Sequence, residues 1–415
     1  MSAELQVRRS ATGMPTRRRS LAGLLATSAA TLVTGCSSSS SIFSNSSFFS
    51  SSPPAQATAP AQPATTIGTG QVKVGLILPL SAGGNAGLAG QAMRNAADMA
   101  LAEFSAPNIQ LLVQDDGGNP DNSRAAAQQA LDEGAAIILG PLFAQSVSVV
   151  GQVTRARNIP VIAFSTDANV AAPGVYLLSF LPESDVERIV QYASATGKRT
   201  FAALVPSNPY GTVVEAAFQQ DVARHGGQIV AFEHYPHDNA GMAAPVKSIA
   251  QAATRAEALF LPDGGDAVPG VAQMLVADGL NTKRIQLLGT GLWDDQRIFA
   301  TAALEGGWYA APEAAGYRGF SARYRERYHQ DPVRTATLAY DAVALVAALV
   351  KTQPDPQARF SPQTLTNPSG FTGIDGLFRF LPNGTNQRGL AVLRVTKSGP
   401  QTVSPAPHSF SASGI

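Results

Sequence analysis

From Val72 onward the chain repeats one pattern: a short continuous apolar run, then a stretch in which apolar residues recur every three or four positions. The runs at 72–80, 109–114, 135–139 and 160–164 are too uniformly apolar for strands with one wet face, so they predict strands buried on both sides. Between them, 89–104 places Met93, Ala97, Leu101 and Phe104 on one helical face, and 122–133 and 146–157 predict helices of similar length. The rhythm restarts with strands at 200–205, 228–232, 256–261 and 285–289, separated by helices at 210–225, 242–255 and 270–279. Buried strands alternating with helices predict parallel, doubly wound sheets, and two such sets predict two α/β lobes in tandem.

After Gly306-Gly307-Trp308-Tyr309 the alternation stops. Two helices, 317–329 and 335–351, come next. A hairpin is expected from Gly376–Phe380 and 390–395 across Pro382-Asn383-Gly384, where Asn-Gly supplies the positive φ of a tight turn. Residues 399–415 read as a frayed tail.

The N-terminus has a different texture. Arg17-Arg18-Arg19, an apolar stretch at 21–33 and the small residues Thr34 and Gly35 read as a signal peptide over residues 1–35, too short to span a bilayer comfortably. Met14 is an alternative start, and Arg18-Arg19-Ser20-Leu21 resembles a twin-arginine signal. Val33-Thr34-Gly35-Cys36 resembles the lipobox of bacterial lipoproteins, which implies acylation of Cys36 and a lipid anchor in a membrane. Residues 36–69 are Ser-rich and then Pro/Ala-rich and cannot bury enough apolar surface to order the chain, so they are expected to be a tether. Such a coil spans roughly 30 Å on average and about 100 Å when stretched.

The 415 residues exceed what one core holds, in keeping with two lobes. Charged residues make up only 14%, and the net charge is +1. The leader's five arginines against Glu4 leave the rest of the chain near −3, which gives no electrostatic footprint for nucleic acid. Catalytic patterns are missing: no Gly-x-Ser-x-Gly occurs, Cys36 is the only cysteine, and His234 and His237 lack two further metal ligands. Asp115-Asp116 and Asp294-Asp295 are neighbours whose side chains point apart, unsuited to a catalytic dyad, and Gly289-Thr290-Gly291 reads as a turn after a strand. No enzyme and no cofactor are indicated.

Taken in order, Val74-Gly75-Leu76-Ile77-Leu78-Pro79-Leu80-Ser81, Gly90 opening a helix, Gln114-Asp115-Asp116, Asn119-Pro120, Ile138-Leu139-Gly140-Pro141, Ile159-Pro160-Val161-Ile162, Asn208-Pro209-Tyr210-Gly211 and Phe371-Thr372-Gly373-Ile374-Asp375-Gly376 resemble a type I periplasmic binding protein of the leucine/isoleucine/valine-binding kind. The resemblance implies an α/β fold of two doubly wound Rossmann-like lobes with three crossovers. The first lobe would hold 70–180 plus 312–372, and the second 181–311 plus 373–398.

Ligands on such sheets sit beyond the carboxyl ends of the strands. The glycine-rich stretch 81–90, beginning at Ser81, is expected to be a loop leading into a helix whose free N–H groups suit a carboxylate. Gln145-Ser146 and Ser165-Thr166-Asp167 stand at two other strand ends; their hydroxyls either meet a carboxylate or cap helices. The resemblance implies that Ser146, Ser165 and Thr166 hold an amino acid's carboxylate and that Tyr210 covers the ligand. It also implies an acid for the ammonium, with Asp263 and Asp266 as candidates that equally suit a solvated turn. Ser179 departs from the arginine that branched-chain binders often carry there.

Four further stretches, Gly140-Pro141-Leu142-Phe143, Ile162-Ala163-Phe164-Ser165-Thr166-Asp167, Gly289-Thr290-Gly291-Leu292-Trp293-Asp294-Asp295 and Leu338-Ala339-Tyr340-Asp341-Ala342, resemble penicillin-binding protein activator lipoproteins, which stimulate a peptidoglycan synthase. This chain has a linker where enterobacterial members carry a helical-repeat domain. Two functions follow: an anchored, non-catalytic regulator of peptidoglycan synthesis, or the substrate-binding component of an ABC importer delivering an amino acid or related polar solute to its permease. Ser37 after Cys36, by resemblance to the enteric sorting rule, points to the outer membrane. In the regulator reading Trp293, Trp308 and Tyr309 are candidate surface anchors for the synthase if exposed, although Trp308 continues an apolar strand-like run and is expected to be buried in the second lobe.

Overall fold

The computed structural model describes residues 65–410, with side chains throughout except at Asn239 and Ala240. The expected signal peptide, Cys36, residues 36–64 of the expected tether and residues 411–415 lie outside the described residues. The first sheet contains β1 (Thr65–Ile67), β2 (Val72–Leu78), β3 (Ile109–Asp115), β4 (Ile138–Leu139), β5 (Val161–Ala163) and β6 (Val175–Leu177), in the spatial order β1-β3-β2-β4-β5-β6. All pairings are parallel except that of β1 with β3. β1 places the last residues of the expected tether in the fold. Helices α1 (Gly84–Glu103), α2 (Pro120–Asp132) and α3 (Ala144–Arg155) connect the strands.

The second lobe begins with α4 (Pro182–Ala195) and continues through β7 (Thr200–Pro206), α5 (Pro209–Arg224), β8 (Gln228–Tyr235), α6 (Asn239–Ala252), β9 (Ala258–Phe260), α7 (Val268–Ala277), β10 (Gln286–Gly289), the single turn α8 (Gln296–Phe299) and β11 (Trp308–Ala311). The chain then forms α9 (Ala314–Tyr328), α10 (Ala336–Thr352), the short α11 (Pro356–Arg359) and α12 (Pro362–Leu365), β12 (Phe371–Gly373), β13 (Gly376–Phe380), β14 (Asn386–Arg388), β15 (Ala391–Thr396) and β16 (Gly399–Ser404). The second sheet runs β16-β15-β11-β10-β9-β7-β8, and β12, β13 and β14 form a small separate sheet.

Period-two alternation explains the layering. In β2 and β3, Val74, Leu76, Leu78, Leu111 and Val113 enter one core with Met93, Ala97 and Leu101 of α1 and with Leu338, Ala342 and Val346 of α10. Ile77 and Leu112 turn the other way, onto Ala127, Leu131, Val147 and Val150 of α2 and α3. The second sheet is likewise covered by α6 and α7 on one face and by α4 and α5 on the other. Within each parallel set the strand order is 2-1-3-4-5, so the chain reverses direction between β2 and β4 and between β7 and β9. Open α/β sheets offer their ligand crevices at such reversal points.

Four expectations are corrected. The glycine-rich stretch 81–90 is not a loop, because α1 already begins at Gly84. A Cβ on Gly87 would stand 2.0 Å from Ala82 O, and one on Gly90 would stand 2.8 Å from Pro79 O. The glycines therefore let the first turns of the helix lie against the chain that leads into it. The hairpin pairs β13 with β14, not with 390–395; β15 joins the second sheet beside β11. Phe378 and Phe380 are part of the first lobe's core, so the last crossing to the second sheet falls at 389–390 instead of 373. The expected tail contains β16, an edge strand paired with β15 and held by Arg188 Nη2 donating to Ser404 Oγ (2.7 Å).

Trp293 and Tyr309 are fully buried and Trp308 is half-buried against Tyr192, which removes the first two as surface anchors. The Trp293 indole lies over Gly289 and donates to Leu261 O (3.0 Å). A Cβ on Gly289 would meet Trp293 Cδ2 at 2.1 Å. Gly289→Ala is expected to cost about 1–3 kcal/mol by overpacking, read as a lower urea midpoint at unchanged slope.

Candidate functional site

The strand ends of the two lobes bound one cleft. Across it, burial raises the Glu183 carboxyl of the second lobe and the Asp167 charge of the first adds to that, while burial raises Asp294 against the opposing charge of Arg334. On the first-lobe wall Ser81 is exposed, and its N–H donates to Asp115 Oδ1 (3.1 Å), which also accepts from Gly117 (2.8 Å). Gln145 is exposed on the first turn of α3, and Thr166 is half-exposed. Neither α1 nor α3 has a side-chain cap. The groups this wall offers to an anion are therefore backbone N–H groups, Ser81, Gln145 and Thr166.

Ser146 is fully buried behind that wall. Its Oγ lies 2.8 Å from Ser123 Oγ, which also stands 2.9 Å from Asp116 Oδ2. Burial pushes the Asp116 carboxyl up to about 6, against the Gly118 N–H and the Ser123 hydroxyl. The three side chains tie α3 to α2, and Ser146 presents no surface to the cleft. Ser165 is also buried, and its Oγ accepts from Asp167 N–H (3.1 Å), closing a local turn.

On the second-lobe wall Tyr210 is buried with its hydroxyl 2.8 Å from Thr290 Oγ1, and burial holds the phenol well above its usual range. Asp263 Oδ2 receives both the Tyr235 hydroxyl and His237 Nε2 (2.7 Å), while Oδ1 accepts from Gly264 N–H (2.8 Å). The bond to Asp263 raises the His237 imidazole pKa. Asp266 is exposed and turned away, paired with Arg297, which also holds Asp295 (2.7 Å). Gly264-Gly265 causes the separation: a Cβ on Gly265 would stand 2.6 Å from Asp295 Cγ, so only glycine lets the chain fold over Asp295. Asp263 and Asp266 are thus not brought together.

Sequence reasoning missed the acids at the start of α4. Asp185 Oδ2 accepts from Gly291 N–H (2.9 Å), and burial pushes its carboxyl up to about 7. Glu183 is raised by burial, and its Oε2 has no hydrogen-bond partner. Pro182-Glu183-Ser184-Asp185, a proline at the first helical position with acids in the first turn, is the helix-start signal that marks them.

Behind these acids the three crossovers meet at a buried hinge. The Phe180 ring lies 4.7 Å from the Arg334 guanidinium and 4.6 Å from that of Arg388, and Arg334 also lies 4.5 Å from the Tyr317 ring. Asp375 accepts from Arg334 and from Thr337 Oγ1 (2.6 Å); burial alone would raise its carboxyl, and the Arg334 charge overrides that and lowers it. Arg388 Nε and Asn386 Nδ2 each donate to Ser179 O (2.8 Å). A guanidinium from β14 thus reaches the bend after β6 where Ser179 stands.

The raised carboxyls set the pH response. Asp116, Asp185 and Asp341, the last also pushed up by burial to about 7, keep protons in the folded state that the unfolded chain releases near pH 4. The folded state then binds more protons over this window, so these groups stabilise the fold at low pH and lose that contribution as pH rises through 6 to 7. The raised His237 acts with the same sign. The expected outcome is a Tm that falls between pH 5 and pH 8 and a shallower fall in Asp185→Asn, both measured by calorimetry.

The model of the family described as periplasmic binding protein matches residues 71–400. An uncharacterized protein of Rickettsia prowazekii is 24% identical over 134 residues, covering 32% of this chain and 36% of that protein. The penicillin-binding protein activator LpoA of Edwardsiella ictaluri is 24% identical over 193 residues, covering 44% of this chain and 28% of that protein. The matched segments thus span about a third of these relatives' lengths. Among solved structures, a branched-chain amino acid ABC transporter protein from Rhodospirillum rubrum superposes with a TM-score of 0.72 at 19% identity, covering 80% of this chain and 99% of that one. The family description and the LpoA activator are of non-catalytic kinds, which agrees with the non-catalytic reading of the sequence. With its two parallel sheets, its strand order and a match over most of its length, the chain belongs to the type I periplasmic binding protein family, of the leucine/isoleucine/valine-binding kind, and with it to the periplasm.

Proposed function

We propose that this protein is a lipid-anchored, non-catalytic regulator of a peptidoglycan synthase, and that its cleft is not an amino-acid receptor. One observation carries the reading: four of the side chains expected to hold an amino acid, Ser146, Tyr210, Asp263 and Asp266, are already engaged within the fold, while Ser81, Gln145 and Thr166 stay open on the first-lobe wall. Ser146 is bound into the Asp116–Ser123 network, Asp263 is taken by Tyr235, His237 and Gly264, Tyr210 meets Thr290, and Asp266 pairs with Arg297. An entering ammonium group would have to displace His237 from Asp263 and leave buried polar groups without partners, at about 1–3 kcal/mol each. The similarity to the LpoA activator supports the same reading. A receptor that passes a polar solute to an ABC permease is the second reading; the uncapped α1 and α3 and the fold shared with ABC transporter binding proteins favour it.

Retention of a peptidoglycan synthase from an envelope extract is the expected result of a pull-down with this protein, and recovery of a permease complex with no synthase would overturn the proposal. Calorimetry with a panel of amino acids is expected to show no heat, whereas Ser146→Ala should lower stability by about 1–3 kcal/mol through the partners it leaves behind. The anchor has its own test. Acyl chains supply about 0.8 kcal/mol per buried methylene, so Cys36→Ala should shift the protein from the membrane to the soluble fraction or leave it unprocessed. Unchanged fractionation would remove the anchor from the proposal.

A further inference from the structure

Asp263 is a carboxylate only 7% exposed, and its three hydrogen-bond donors are of unequal kind. Tyr235 and Gly264 are buried and donate as neutral groups, whereas the His237 side chain is 35% exposed and becomes a cation on protonation. Of the three partners, the imidazole is the one that stands between Asp263 and solvent. It is carried by a short connection, residues 236–238, that is pinned at both ends. Tyr235 is fully buried at the end of β8, and Asp238 Oδ1 accepts from Gly241 N–H (2.6 Å) in the first turn of α6. A Cβ on Gly241 would run into Pro236 Cγ, so glycine lets the helix start against the proline. The backbone at His237 is thus held in place, while a side chain at the surface still changes rotamer within nanoseconds.

We propose that His237 is an autoinhibitory contact: its imidazolium fills, from within the chain, a cation site that Asp263 would otherwise present to small alkylammonium or imidazolium ions in the cleft. The contact requires no movement of one lobe against the other, because the acid, the imidazole and the loop that carries it all belong to the second lobe. It goes beyond the regulator reading and holds whichever partner the protein serves.

A tethered cation competes as though present at about millimolar concentration, so a dissolved cation reaches Asp263 by outcompeting the tether or when His237 loses its charge. The groups that face His237 set when that happens. The bond to Asp263 raises the imidazole pKa, burial opposes it, and the Asp263 and Asp266 charges add to the rise. Asp266 is itself paired with Arg297 of α8, and Asp238 is committed to its cap. The Tyr235 ring lies 5.9 Å from the imidazole; its phenol, and that of Tyr210 in α5, stay neutral because burial holds both well above their usual range. An alkylammonium keeps its charge to about pH 10, so as pH rises through the raised His237 value the internal competitor is discharged first. Affinity for the dissolved cation therefore increases with pH.

The test uses the full chain, with ethylammonium and imidazole as probes in calorimetry. At pH 6, His237→Ala should bind both saturably and at least about tenfold more tightly than the parent. Between pH 6 and pH 8 the parent should gain affinity for ethylammonium and His237→Ala should not. His237→Gln, which keeps a neutral donor at the position, covers the case in which the alanine variant does not fold: it should bind ethylammonium more tightly than the parent at pH 6 and about equally at pH 8. Adding Asp263→Asn to either variant should remove the binding. Equal binding by the parent and the His237 variants at pH 6 overturns the proposal, and so does binding by none of them or binding that survives Asp263→Asn. Retention of a synthase is read in a separate pull-down, so either proposal can fail while the other stands.

Discussion

The arginine–phenylalanine stack at the hinge is the constraint on which the arrangement of the lobes depends. Phe180 belongs to the first crossover, Tyr317 and Arg334 to the chain that returns from the second, and Arg388 to the strand before the third. Segments far apart in sequence are thereby fixed at one place by planar groups that interact with rings on their faces and with carboxylates at their edges. Two guanidinium groups can share so dry a site because Asp375, itself held ionised by Arg334, supplies the opposing charge. Removing one member would leave a buried charge without compensation, which is why such a cluster acts as a unit.

The cleft follows from where the polar groups were spent. In the first lobe Asp116, Ser123 and Ser146 fasten two helices together, and in the second Tyr235, His237 and Asp263 fasten the ends of β8 and β9. Many of the polar side chains at these strand ends thus stiffen the walls of the cleft itself, and what the first-lobe wall leaves accessible is backbone N–H groups with Ser81, Gln145 and Thr166.

Much of the architecture could be read from the apolar runs, because strands buried on both faces leave an unmistakable continuous signal, as in 74–78 and 201–205. The readings that failed share a cause. Asn386-Gln387-Arg388 is polar and carries no apolar strand signal, although two of its side chains are buried against Ser179 O. Gly399-Pro400-Gln401 resembles a frayed end, yet an edge strand tolerates both glycine and proline. The glycines at 84, 87 and 90 suggested a loop because propensity says nothing of the close approach that requires them. For the site, residue type at a strand end was legible, but whether Ser146 or Asp263 faced the cleft or another side chain was decided by tertiary partners that no local pattern encodes.

β1 has a mechanical consequence. It runs antiparallel to β3, with Thr65 opposite Val113, so Thr65 stands on the side where β3 ends at the cleft rim. Tension on the chain before Thr65 would act along the ladder, loading its hydrogen bonds together in shear instead of peeling them open one at a time. The force would pass into the first sheet alone, leaving the second lobe unloaded. A pull on the N-terminal chain would therefore orient the cleft toward its source.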